Sequence, residues 1–352
     1  MGGSGEERGL NTQTPLLLVQ SGARQENAKE ALVTLAIFLQ HLLNALQWGS
    51  FYALIALGYT MVYGVLLLIN FAHGDIFMVG AYIGFFIATF LMGVFSQGAA
   101  PLPLWASWLI LILTILGSMV LTAGVGVGIE RVAYRPLRER GAGRLYLVIT
   151  ALMIGIFLEY LNLSTLGAAD RGFPELIETH IYTVGGVSFT NIKLIVIGLA
   201  ILVMVILELV VRRTKIGMAM RAISYDKVAV PLMGVPINVI IAATFVIGSS
   251  LAALAGIMYG SAYHILSFDM GVLIGWKAFI AAVVGGIGEI RGAMVGGFLL
   301  GFIEIFVVAM GQIPGFEWLS STYRDLVAFT ILLVILTIKP TGIFGVARRQ
   351  KV

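Results

Sequence analysis

The sequence is poor in residues that soluble proteins rely on. It contains no cysteine among 352 residues, which excludes disulfides, thiolate metal sites and a cysteine nucleophile. Charged residues make up only 11% of the chain, whereas a soluble domain has about 25%. With 59% hydrophobic residues and a mean hydropathy of +0.99, the chain has too little polar surface to cover itself in water. We therefore expect it to reside in a membrane.

Signatures of catalysis are also missing. No lysine follows a glycine, so there is no G-x-x-x-x-G-K-[ST] phosphate loop, and neither G-x-S-x-G nor H-E-x-x-H occurs. The four histidines are scattered one per segment: His41, His73, His180 and His264. The sequence therefore predicts no enzyme activity, no metal or cofactor in this chain and no nucleic-acid partner. Any energy source must come from a partner subunit or an ion gradient.

Long apolar runs dominate what is present. A membrane-spanning helix needs roughly 20 mainly apolar residues. Candidate spans lie near 31–47, 50–68, 75–95, 104–128, 144–164, 192–211, 238–262, 272–286, 292–311 and 322–338. The pattern predicts an all-α integral membrane protein of about ten helices. The shortest candidates, 31–47 and 272–286, are expected to be broken, tilted or re-entrant.

The basic residues predict how the chain is oriented. Arginine and lysine are dense in 129–144, in 212–227 and at the C-terminus, whereas 96–103 and 263–271 contain none. The positive-inside rule places the dense segments in the cytoplasm. With ten spans, both termini would then be cytoplasmic. The expected organisation is a polar cytoplasmic tail (1–30), a transmembrane domain (31–345) and a basic cytoplasmic tail (346–352).

Glycine is abundant, with 43 residues. The densest cluster consists of Gly285, Gly286, Gly288, Gly292, Gly296, Gly297 and Gly301. Small residues let membrane helices approach closely, so tight helix packing is the first interpretation. A broken helix whose backbone lines a pathway is the alternative.

Polar groups interrupt the apolar sequence at a few positions. Asn70, His73 and Asp75 lie together between two spans, where polar groups usually mark a functional site. The alternative is local, because Asn70 or Asp75 could cap a helix that begins near Ile76. We favour Asn70 and His73 near the pathway or its gate and Asp75 as a cap.

Two acids lie inside apolar runs, Glu159 and Glu304. They are candidates for the pathway or for a proton relay, or each hydrogen-bonds a neighbouring helix.

A basic loop follows the sixth candidate span. Ile216, Met220 and Ile223 recur in it at helical spacing opposite polar positions, which predicts a short amphipathic helix. Such a helix lies on the anionic membrane surface or docks a cytoplasmic partner. The residues alone leave both open.

Three ordered segments carry a family resemblance. The chain resembles the permease subunits of branched-chain amino acid ABC importers over residues 35–345, in GYTMVYGVLLLINFAHGDIFMVGAY, TKIGMAMRAISYDKVAVPLMGV and FDMGVLIGWKAFIAAVVGGIGEIRGAMVGGFLLG. The resemblance implies a type II ABC importer-like permease in the bacterial inner membrane. It also implies a second homologous permease, two cytoplasmic ATP-binding subunits that hold ATP and Mg²⁺, and a periplasmic or lipid-anchored substrate-binding protein.

The resemblance also assigns a coupling segment, 212–237. Its residues expected to contact the ATPase are Gly217, Arg221, Ala222, Asp226 and Gly234. The expected function is translocation of branched-chain or related amino acids, driven by ATP hydrolysis on the partners. A urea or amide permease of the same family, a transporter driven by an ion gradient and a non-transporting membrane scaffold are the alternatives.

Overall fold

A computed structural model of the protein describes residues 14–96, 103–227, 229–319 and 321–345. The helices are α1 Thr14–Leu66, α2 His73–Ser96, α3 Leu104–Ile129, α4 Arg135–Glu139, α5 Arg144–Leu166, α6 Asn191–Arg213, α7 Lys215–Tyr225, α8 Ala229–Leu232, α9 Ile237–Tyr263, α10 Met270–Gly286, α11 Ile290–Met310 and α12 Arg324–Ile338. A π-helical turn, Glu130–Tyr134, joins α3 to α4, and a 3₁₀ turn, Ser321–Tyr323, precedes α12. The strands are β1 Arg171–Gly172, β2 Ile181–Val184, β3 Val187–Thr190 and β4 Ile265–Leu266. They form two antiparallel pairs, β1 with β4 and β2 with β3.

The fold is that of an all-α integral membrane protein, as the sequence predicts. Within the described ranges, eight helices are long and apolar enough to cross a membrane, and α10 is a shorter apolar helix. The count is below ten mainly because the predicted spans 31–47 and 50–68 form one continuous helix, α1. Gln47, Gly49 and Ser50 lower the local hydropathy but do not break the helix. All three are buried, and the hydroxyl of Ser50 donates to the carbonyl of Leu46 at 2.7 Å.

The second half of α1 runs from one side of the bundle to the other. We call the side of the basic loop 212–237 the inner side and the side of loop 167–190 the outer side. Midway along its length, α1 contacts the outer side, where the amide of Ser188 donates to the side chain of Gln40 at 2.8 Å. At its end, the carbonyl of Leu66 accepts from the amine of Lys227 on the inner side at 2.7 Å.

The C-terminal segment lies on the inner side as well. Its Ile343 amide donates to the carbonyl of Val284, at the inner end of α10. Gln40 of α1 and the end of the described chain are therefore on opposite sides. The expectation that both termini are cytoplasmic stays a prediction, because residues 1–13 and 346–352 lie outside the described residues.

The glycine cluster brings helix backbones into contact. A Cβ at Gly297 would overlap the backbone of Ala53 in α1, and one at Gly301 would lie 2.7 Å from the Cα of Gly49. Gly286 and Gly288 differ from these, because their φ angles of +114° and +95° shape the turn between α10 and α11. The core of the bundle is built on these close approaches.

Two helices begin inside the bundle. The side chain of His73, the first residue of α2, lies against Gly58 of α1, roughly two helical turns before the end of that helix. The segment 67–72 therefore returns into the interior before α2 starts. The start of α10 meets it there, since a Cβ at Gly74 would lie 2.8 Å from the Cα of Gly275. Non-helical backbone at such depth is tolerated only where protein or water covers it.

Candidate functional site

The first candidate site is the interior junction, which we define as Asn70, His73 and Asp75 at the start of α2. All three side chains are more than nine-tenths buried in the bundle. A hydrogen bond holds the side chain of Asn70 in place. The hydroxyl of Tyr134, in the π-helical turn that follows α3, donates to the Oδ1 atom of Asn70 at 2.8 Å. Tyr134 ends the π-helical turn, a local widening of a helix that is frequent at functional sites.

The junction contains polar atoms that the fold leaves unsatisfied. Among the described residues, the atoms there without a hydrogen-bond partner are Asn70 Nδ2, His73 Nε2 and Asp75 Oδ1. The imidazole of His73 packs edge-on against the ring of Tyr59, with centroids 4.9 Å apart. Most buried polar groups in native proteins are paired. Three unpaired atoms within six residues therefore single out this place.

Asp75 lies in the first turn of α2, because that helix begins at His73 and not near Ile76. Its carboxylate is wedged between two neighbouring helices. A Cβ at Gly155 of α5 would lie 2.5 Å from Oδ2, and one at Gly271 of α10 would lie 3.0 Å from Oδ1. A carboxylate at a helix N-terminus is stabilised by the helix dipole. This placement agrees with a role in holding the turn.

The two other acids lie in different surroundings. Glu159 is half-buried on α5, the helix whose Gly155 lies against the Asp75 carboxylate. Glu304 belongs to a separate group that we call the paired cluster: Tyr52, Lys277, Glu304, Arg324 and Asp325. Lys277 Nζ lies 2.9 Å from Glu304 Oε1 and 2.7 Å from Asp325 Oδ1. The Tyr52 hydroxyl donates to Glu304 Oε2 at 2.9 Å. Glu304 thus contacts neighbouring helices, as in the second of the two interpretations given above, and a role in the pathway stays a prediction.

The second candidate site is the inner loop, where α7 forms as the amphipathic pattern predicts. The Thr214 hydroxyl caps α7 by accepting from the amide of Gly217 at 3.1 Å. Gly217, Met220 and Ile223 face the protein. Arg221 and Ala222 are exposed on the opposite face.

The predicted coupling residues also support the loop itself. The Arg221 guanidinium turns back and donates to the carbonyl of Val211 at 2.6 Å. Asp226 accepts from the amide of Ala229 at 3.0 Å. Gly234 has a φ of +76°, a backbone conformation that glycine adopts readily. These contacts fix the path of 212–237.

Three apolar side chains of this loop were not singled out from the sequence. We call them the coupling surface: Tyr225, Leu232 and Met233, which are 89%, 85% and 82% exposed. Exposed apolar side chains close together mark protein or membrane contacts. The signal in the sequence was the pair Leu232-Met233 directly before Gly234, large apolar residues at a turn in the basic loop.

Lys227 connects this loop to the core. Its amine donates to the carbonyl of Leu66 at the end of α1. Partial burial there, together with the charges of Arg144 and Arg138, lowers the pKa of this amine. The contact ties the inner loop to the segment that leads into the interior junction.

Comparisons with known proteins identify the family of the chain. The family described as "Branched-chain amino acid transport system / permease component" matches residues 41–336. The chain is 40% identical over 319 residues to the high-affinity branched-chain amino acid transport system permease protein BraD of Pseudomonas aeruginosa, covering 90% of this chain and 98% of that one. It is 38% identical over 322 residues to the corresponding protein LivH of Escherichia coli K12, with the same coverage.

A weaker likeness in backbone alone is to PsaBC from Streptococcus pneumoniae. The TM-score is 0.42 and the identity 14%, over 86% of this chain and 92% of that chain. The sequence matches decide the assignment. The chain belongs to the family of permease components of branched-chain amino acid transport systems, and it is a multi-pass membrane protein.

Proposed function

We propose that this chain is the membrane-spanning permease subunit of an ABC importer that moves branched-chain amino acids across the bacterial inner membrane. The observation that carries the proposal is the identity of 38–40% to relatives named as high-affinity permeases for these amino acids. The basic inner loop then faces the cytoplasm. The outer side faces the substrate-binding protein.

Energy enters through partner subunits in this proposal. Two ATP-binding subunits hold ATP and Mg²⁺, and a second homologous permease completes the pathway. The exposed coupling surface supports an ATPase contact, because three large apolar side chains stand free in a loop outside the membrane. ATP binding shifts the permease between conformations only if the ATPase binds one of them better.

Uptake by the reconstituted complex tests the proposal. We expect ATP-dependent accumulation of leucine, isoleucine and valine in proteoliposomes that contain both permeases, both ATPases and the binding protein. Urea and short amides serve as competing substrates. Uptake driven by a proton or sodium gradient without ATP would overturn the proposal, and uptake of urea in place of amino acids would change its substrate.

The coupling surface has its own test. Leu232→Asp with Met233→Asp should reduce co-purification of the ATPase at least tenfold, because desolvation of two charges opposes docking. The control is Ile181→Asp, which alters an apolar residue on the outer hairpin that is 72% exposed. Equal ATPase binding by both variants would show that the ATPase docks elsewhere.

The path of α1 from the outer to the inner side can be tested by labelling. Because the chain has no cysteine, single cysteines are clean probes. We expect an impermeant thiol reagent to label Val33→Cys from outside the cell and Ser224→Cys only from the cytoplasm. Labelling of both from the same side would contradict the path of α1.

A further inference from the structure

A cavity opens on the inner side beneath the coupling helix. Its volume is about 540 Å³, within the range of small-molecule sites. It lies between α7, the end of α6, the inner half of α1 and the turn that joins α10 to α11. The interior junction and the paired cluster contribute no side chain to its lining.

The wall of the cavity on the side of the bundle is apolar. Met61 and Val65 of α1, Met220 of α7 and Ile290 of α11 form it, and all four are buried. Thr60 lies beside them, 1% exposed. Its hydroxyl has no hydrogen-bond partner among the described residues. A buried hydroxyl without a partner requires an explanation, and a polar group of a ligand in the cavity would supply the missing hydrogen bond.

The rim carries charges of both signs. Glu208 is shared by two guanidinium groups, with its Oε1 atom 2.6 Å from Arg212 Nε and 2.7 Å from Arg291 Nε. Arg221 and Glu289 complete the rim. Three cations and two anions therefore surround the mouth, an excess of one positive charge.

We propose that this cavity binds an α-amino acid with an apolar side chain from the cytoplasmic side. The apolar wall suits the side chain, the arginines suit the carboxylate and the rim carboxylates suit the ammonium group. A zwitterion suits a rim in which charges of both signs lie side by side, whereas a ligand of one charge sign would be repelled by the like charges of the rim. The inference rests on the proposed function for the class of solute and adds a site where the imported product binds.

Binding there has a consequence for transport. One wall of the cavity is the coupling helix itself, through Met220 and Arg221. A bound amino acid bridges α7 to α1 and to the turn before α11, and so favours one position of α7. Two ligands that prefer different conformations oppose each other. Product that accumulates inside is therefore expected to slow ATP hydrolysis.

The first test is direct binding. Purified permease–ATPase complex in nanodiscs, without the binding protein, is titrated with radiolabelled leucine. We expect saturable binding that Thr60→Val weakens about fivefold, as expected for the loss of one hydrogen bond. Thr114→Val is the matched control, because the Thr114 hydroxyl in α3 is also buried without a described partner but does not line the cavity. Absence of saturable binding, or equal weakening in both variants, would overturn the proposal.

The second test separates this site from transport itself. Proteoliposomes preloaded with leucine should take up less leucine than empty ones, and Thr60→Val should reduce that inhibition while initial uptake into empty vesicles is unchanged. Lack of inhibition in the unmodified complex contradicts the proposed site and leaves the proposed function unaffected. Failure of uptake into empty vesicles contradicts the proposed function, while the nanodisc titration still decides the site. A partner side chain seated in the cavity of the assembled complex would also overturn the proposal.

Discussion

The paired cluster and the interior junction are both polar groups buried in the bundle, but they differ in how their charges are paired. In the paired cluster, Lys277 and Glu304 are 2% and 1% exposed and lie 2.9 Å apart. Tyr52 donates to Glu304 Oε2 and Lys277 donates to Asp325, while Glu304 Oε1 faces the Lys277 amine without a hydrogen bond of its own. In the junction, Asn70, His73 and Asp75 each keep an unpartnered atom, and none of them forms an ion pair within the described part of the chain. The first group is neutralised by opposite charges, and the second is not.

This difference favours a structural role for the paired cluster and a functional role for the interior junction. Four charges that neutralise one another across α10, α11 and α12 tie these helices together and to α1. An unsatisfied polar group in a bundle costs stability, so its persistence indicates a role in another conformation or with a ligand. Of the polar residues chosen from the sequence, Asn70 and His73 therefore stay the pathway or gate candidates, and we expect Glu304 to have a structural role.

The largest effect is expected where the paired cluster is broken. Lys277→Met removes one cation and leaves Glu304 and Asp325 facing each other without it. Loss of one partner of a buried ion pair costs about 3–5 kcal/mol, so the permease should unfold at much lower temperature in detergent. Thermal unfolding followed by light scattering measures the loss.

A double variant decides whether charge is the cause. Lys277→Met with Glu304→Leu removes the pair and should recover part of the lost stability, because replacement of a whole buried pair by apolar groups is often neutral. If the loss of stability in the double variant equals the sum of the losses in Lys277→Met and Glu304→Leu, packing holds the cluster together. The comparison with the junction then fails.

A smaller effect is expected from the backbone contact that forms the junction. In Gly74→Ala, the added methyl group would collide with the backbone of α10. Such overpacking costs about 1–3 kcal/mol. Gly93→Ala, also in α2 but with open space at its Cβ, should have no effect. Thermal unfolding of both variants checks this. Equal unfolding temperatures would show that α2 and α10 can move apart without loss of stability.

The sequence predicted the fold class because apolar runs and basic loops are local signals. It predicted α7 for the same reason, since Ile216, Met220 and Ile223 recur at helical spacing. It failed at the start of the chain, where the residues around Gly49 read as a break between spans. They are instead buried contacts of one helix with α11, and only tertiary packing reveals that.

The candidate site was predicted only in part. Asn70, His73 and Asp75 were found because polar residues are rare in apolar sequence. Their neighbours could not be found, since Tyr134 and Gly271 are brought to them by helices distant in the chain. Lys277 was missed inside an apolar run, although its buried amine organises the paired cluster.

The smallest effect is expected at Asp75, and it bears on whether the junction contains a functional carboxylate. We expect Asp75→Ala to cost about 1 kcal/mol, as for loss of a capping side chain, because nothing then holds the first turn of α2. Asp75→Asn keeps the shape and the hydrogen-bonding oxygen but removes the charge. Its carboxylate faces the glycines of α5 and α10 and forms no ion pair with any described residue, so uptake by Asp75→Asn should be nearly normal. Leucine uptake and ATP hydrolysis by the full complex measure this. If Asp75→Asn abolishes uptake while the complex assembles and hydrolyses ATP, the carboxylate itself acts in transport, and the role of holding the turn is insufficient.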